Sequence, residues 1–97
     1  MIAHRMQMTY SELLKIERVL KKHKINCFVD PNRWENKDGY VLYFHKITHA
    51  KKTVEIFSKD GIETFDITPN ILNAYFKYRL VVKPSELLEK LIAVAKI

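Results

Sequence analysis

Histidine, cysteine and carboxylate side chains move protons, attack carbonyls and hold metals. This chain of 97 residues offers four histidines, a single cysteine (Cys27) and eleven acids for such work. Three of them form a pattern if residues 43–66, YFHKITHAKKTVEIFSKDGIETFD, fold as adjacent strands. Asp60-Gly61 is a preferred two-residue hairpin turn. It sets Ile56 opposite Phe65 and Val54 opposite Ile67 on one side, which is the expected core side. Glu55 then faces Asp66 on the other side. A three-residue loop, His49-Ala50-Lys51, brings His45 opposite Glu55. The outer side would carry His45, Glu55 and Asp66 in a row, with Tyr43, Phe57 and Thr64 in the next. A histidine beside two carboxylates can be an acid–base group or part of a metal site. It can equally offset the like-charge pair Glu55–Asp66 on a solvated sheet face, where no catalysis is implied.

Other chemical arrangements are weaker. His45-x-x-x-His49 has metal-ligand spacing for a helix, but here it is assigned to a strand and its turn, and Cys27 completes no familiar set. Glu35-x-Lys37 resembles the end of a metal-dependent nuclease motif but lacks a well-placed upstream acid. There is no P-loop, no G-x-G-x-x-G and no nucleophile elbow. The expectation is a non-enzymatic domain with no cofactor and no bound metal. Cys27 is expected to be a buried structural thiol.

Binding is the stronger theme. Lysine and arginine number 17 against 11 acids, a net +6, which favours anionic partners. Helical spacing puts Lys15, Arg18 and Lys22 on the outer face of the first helix, with Lys21 and Lys24 nearby. Such a stripe can follow a phosphate backbone. Lys46, Lys51 and Lys52 form a second basic spot that can join it. The competing reading is a solubilising face, with Glu17 and Lys21 paired at i, i+4. Tyr43 and Phe57 would stack bases if their sheet face were open, and would be core if a helix covered it. Arg33-Trp34 sits in a polar loop, either as an anchor for a protein partner or folded back as a lid on the core. Near the C-terminus, Leu87, Leu88, Leu91, Ile92, Val94, Ala95 and Ile97 surround the last helix on nearly every side, which would suit a homodimer seam. The expected partner is nucleic acid. A protein-interaction module, as an inhibitor, accessory or assembly subunit or through self-association, is the alternative. No apolar run is long enough for a membrane span, and the N-terminus lacks the apolar core of a signal peptide. A lone cysteine fits a reducing, cytoplasmic setting.

The elements that must position these groups follow from periodicity. Residues 1–8 read as a flexible N-terminal segment and 9–97 as a single α+β domain. Thr9-x-x-Glu12 has capping-box spacing, and Leu13, Ile16 and Leu20 recur as one helix face that fades near Lys24. Residues 25–30, INCFVD, read as a short strand stopped by Pro31. A small, mainly antiparallel meander is predicted over 39–67, packed against the N-terminal helix and a C-terminal helix at 85–96. Thr68-Pro69 suits a helix start, so a third helix is predicted near 69–78. YRLVV, residues 78–82, reads either as the frayed end of that helix or as a fourth strand.

Overall fold

A computed structural model of the chain describes residues 10–30, 39–71 and 73–94. The elements run α1 (Tyr10–Lys21), β1 (Cys27–Val29), β2 (Tyr40–Phe44), α2 (Ile47–Lys59), β3 (Thr68–Pro69), β4 (Tyr78–Val82) and α3 (Glu86–Val94). The four strands form one antiparallel sheet in the order β1-β2-β4-β3. The α+β class therefore holds, with a small antiparallel sheet and helices from both ends of the chain sharing its core.

All three helices cover one side of that sheet. Leu13, Ile16 and Leu20 from α1, Ala50 and Phe57 from α2, and Leu88 and Ile92 from α3 bury together. They meet Val29, Tyr40, Leu42, Phe44, Leu80 and Val82 from the strands. Alternation explains the set, because directly opposed residues of antiparallel strands share a face. Val29 is opposite Leu42, which is opposite Leu80, and Tyr40 is opposite Val82. Fully burying each large side chain is worth roughly 1.5–3 kcal/mol. Thr53 is buried among them and donates its hydroxyl to the His49 carbonyl at 2.8 Å, which satisfies its polar group.

The predicted meander over 39–67 is corrected in its second half. Its first strand is β2, but residues 47–59 are helical. TVEIF alternates, yet it also satisfies a helical period: Ala50, Thr53 and Phe57 are the buried positions of α2. KITHAKK contains no Gly, Pro, Asn or Asp to break the chain, so the helix runs through it. Asp60-Gly61 then ends the helix instead of turning a hairpin. A hairpin turn of the I′ type needs positive φ at both residues. Here Asp60 has φ −92° and only Gly61 is positive, at 75°. The Ile62 N–H returns to the Phe57 carbonyl at 2.8 Å and the Gly61 N–H to Ser58 at 3.0 Å, the Schellman pattern.

The predicted helix near 69–78 is also absent. Thr68 and Pro69 form the edge strand β3, where proline's missing donor costs nothing. Asn70 and Asn73 bend the next residues: Asn70 Nδ2 donates to the Phe76 carbonyl, and Asn73 Oδ1 accepts the Tyr75 and Phe76 N–H groups, each at 2.8 Å. Ile71, inside the predicted helix, is 90% exposed. YRLVV is the fourth strand, and β4 is central, between β2 and β3. The C-terminal helix begins as predicted, with Ser85 Oγ accepting the Leu88 N–H at 3.1 Å.

Candidate functional site: the uncovered sheet face and its basic corner

The side of the sheet away from the helices has its own row. Phe28, Tyr43, Arg79 and Thr68 stand opposite one another across all four strands. Thr64 lies opposite Val82 on the helix-covered side, so the next residue, Phe65, points to the other side, which no helix among the described residues covers and which is called uncovered in that sense. Lys83 lies 4.9 Å above the Phe65 ring and pairs with Glu63 at 3.1 Å.

The β3–β4 connection lays two more rings on this face. Phe76 stacks on Phe28 with centroids 5.4 Å apart, and Phe28 stacks on Tyr43 at 6.2 Å. Tyr75 meets Phe76 edge-on at 4.8 Å and stacks on His45 at 4.2 Å. His45, Tyr75, Phe76, Phe28 and Tyr43 thus form one chain of ring contacts. Phe28 remains 39% exposed and Tyr75 51%. His45 Nδ1 donates to the Tyr75 carbonyl at 2.7 Å, and Asn26 Nδ2 donates to the Tyr75 hydroxyl at 3.3 Å. At the other end the Tyr43 hydroxyl donates to Asp30 Oδ2 at 3.1 Å. Partial burial, reinforced by Asp30, raises the Tyr43 phenol above its ordinary value, while Arg79 pulls it down.

The row His45, Glu55 and Asp66 does not form. Glu55 lies on the exposed side of α2, Asp66 lies in the connection leading to β3, and His45 is stacked on Tyr75. Tyr43 is on the uncovered face as the alternation required, but Phe57, expected beside it, is fully buried under α2. His49 Nδ1 accepts the Asn26 N–H at 3.1 Å, which commits that nitrogen to holding the backbone. Among the described residues no three His, Cys, Asp or Glu side chains group as metal ligands. Cys27 faces the core edge, and burial, with the Glu17 carboxylate adding to it, pushes its thiol up. Such a thiol stays protonated and is a poor nucleophile.

The basic side chains divide by position. Arg18, Lys21, Lys22 and Lys24 are exposed at the C-terminal end of α1, while Lys15 is half-buried one turn earlier. None of the five forms an ion pair with a described residue. The expected Glu17–Lys21 pair is absent, because Glu17 Oε2 accepts the Val29 N–H at 2.8 Å. That carboxylate covers an outward donor of an edge strand. The Asn26–His49 bond ties the α1–β1 connection to the first turn of α2; Lys22 and Lys24 precede Asn26 in that connection, and Lys46 immediately precedes α2. Lys52 stands three residues after His49 on that flank. Lys51 is on the other flank, lining a hollow with Thr64, Phe65, Asp66 and Ile67. Arg33 and Trp34 lie outside the described residues.

Phe28, Tyr75 and Phe76 carry this face and were missed in the sequence. Phe28 was legible by alternation with Cys27 and Val29. Tyr75 and Phe76 were hidden by the helical reading of 69–78. No helix among the described residues is long and apolar enough to cross a membrane. Comparison with protein-family models, with curated proteins and with solved structures returns no match.

Proposed function

We propose that this chain is a non-enzymatic nucleic-acid-binding domain that meets phosphates with the basic corner of α1 and α2. The observation that supports the reading is the Asn26–His49 bond, which joins the segment after α1, carrying Lys22 and Lys24, to the start of α2, preceded by Lys46, with no described carboxylate paired to these lysines. Unneutralised cations held close together displace counterions when a polyanion docks, which is the main source of sequence-independent affinity. Arg18, Lys21 and Lys52 extend the surface on either side.

The test is salt-dependent binding to duplex and single-stranded probes. The triple variant Lys22→Glu, Lys24→Glu, Lys46→Glu weakens binding to every sequence, and its log K against log salt slope falls by roughly 2–3. Absence of any binding by the unmodified chain at low salt rejects the reading.

A second reading, self-association through α3, is favoured by the exposure of Leu87 (46%) and Val94 (73%). Sedimentation over a range of concentrations decides it, because a strict monomer leaves those side chains as ordinary surface.

A further inference from the structure

We infer that the uncovered sheet face is a base-stacking platform for single-stranded nucleic acid. The inference rests on the nucleic-acid reading above and adds a second surface and a substrate class. Three observations converge on it. First, the outward positions of β1 and β2 hold Phe28 and Tyr43, rings that would be core on the other face and that an ordinary solvated sheet would replace with polar residues. Second, Phe76 and Tyr75 are brought onto the same face by side-chain hydrogen bonds from Asn70, Asn73, Asn26 and His45. The placement of Tyr75 is not a by-product of core burial, since it is half exposed.

The third observation is charge. The chain of rings begins at His45, next to Lys46 at the basic corner, and ends at Tyr43, opposite Arg79. Asp30 is the carboxylate bonded to the row. A strand laid along the rings would stack bases on the exposed parts of Phe28 and Tyr75, which Phe76 supports from between them, and turn its phosphates to Lys46, Lys24 and Arg79. Aromatic faces accept any base, and stacked bases must be unpaired, so the match is to single strands. An apolar peptide would use the rings but leave the flanking cations without partners.

Fluorescence anisotropy tests this with labelled oligouridylate and oligothymidylate of about 12 nucleotides, against a duplex of the same length. Phe28→Leu keeps an apolar side chain against Tyr43 and Phe76 but removes the ring. It should weaken single-strand binding about 5- to 100-fold, leave the salt slope and duplex affinity unchanged, and be rescued by Phe28→Trp. Wild-type affinity in Phe28→Leu overturns the inference while leaving phosphate binding by the basic corner intact. So does an equal loss on duplex, which would mark a structural defect. If the parent binds no nucleic acid but forms dimers that Phe28→Leu abolishes, the face is a protein interface and both readings fall.

Discussion

The two faces of the sheet are built from the same kinds of residue and have different fates. On one, Tyr40, Leu42, Phe44, Leu80 and Val82 vanish under three helices. On the other, among the described residues, Phe28 stacks with Tyr43 and with Phe76 of the 70–77 connection, Tyr43 bonds Asp30, and Phe65 lies under Lys83. Even there Val41 and Val81 are buried, without joining the helix-covered core. Apolar content alone therefore does not distinguish the helix-covered face from the other one. The difference lies in what accompanies the rings: aliphatic side chains on the covered side, and polar and ionic groups beside Val41 and Val81 on the uncovered one.

The largest expected effect separates the two faces directly. Leu42→Ala should cost about 2–5 kcal/mol in urea unfolding, because it opens a cavity in the helix-covered core. Phe28→Leu should cost about 1 kcal/mol or less on the same assay. Equal losses would mean that the Phe28 side is core as well, and the contrast would collapse.

The faces exist only while β2 and β4 hold their register. Gly39, just before β2, would place a Cβ 2.1 Å from the Val82 carbonyl oxygen and 2.9 Å from its carbon. Both are backbone atoms, so the strands must part. Gly39→Ala should destabilise by about 1–3 kcal/mol, with faster amide exchange at Tyr40 and Val82. Unchanged exchange would show that the pairing is looser than the close approach requires.

A smaller effect sharpens the polar character of the uncovered face. The raised phenol of Tyr43 holds its proton longer in the folded chain than in the unfolded one. Its contribution is therefore full below the unfolded tyrosine pKa, about 10, and is lost as pH rises through the folded value. Tyr43→Phe should lose about 0.5–1 kcal/mol near neutrality, from the bond to Asp30. It should also lose less further stability than the parent when urea midpoints are compared on either side of that pH. Parallel alkaline profiles would place Tyr43 in water, away from Asp30.

Two helix ends show where local reading worked and where it failed. After α1, Ile25 N–H returns to the Leu20 carbonyl at 3.1 Å and Lys24 takes φ 60°. After α2, Ile62 and Gly61 do the same work at Phe57 and Ser58. The first end was placed near Lys24 from periodicity alone, although lysine is a poor left-handed residue. The second was misread, although glycine is a good one, because Asp-Gly serves hairpins and helix stops alike. The basic stripe of α1 was legible for the same reason as its core face: both are periodic in one segment. The aromatic face is only half legible in the sequence: alternation gives Tyr43, but its neighbours Phe28 and Phe76 are 15 and 33 residues away.

By itself the sequence determined the α+β class, the two outer helices, the buried stripe of α1, and the strands at 27–29 and 40–44. Each rests on interactions within a few residues: a periodic apolar face, a capping serine, an alternating strand. Only the tertiary structure decided that 47–59 is a helix. TVEIF satisfies both periods, and the choice turns on Phe57 meeting the strands through long-range contacts. The same holds for the sheet's two faces. Alternation puts Phe28 and Tyr43 together, but which side receives the helices depends on how α1, α2 and α3 pack at once, and that is a property of no single segment.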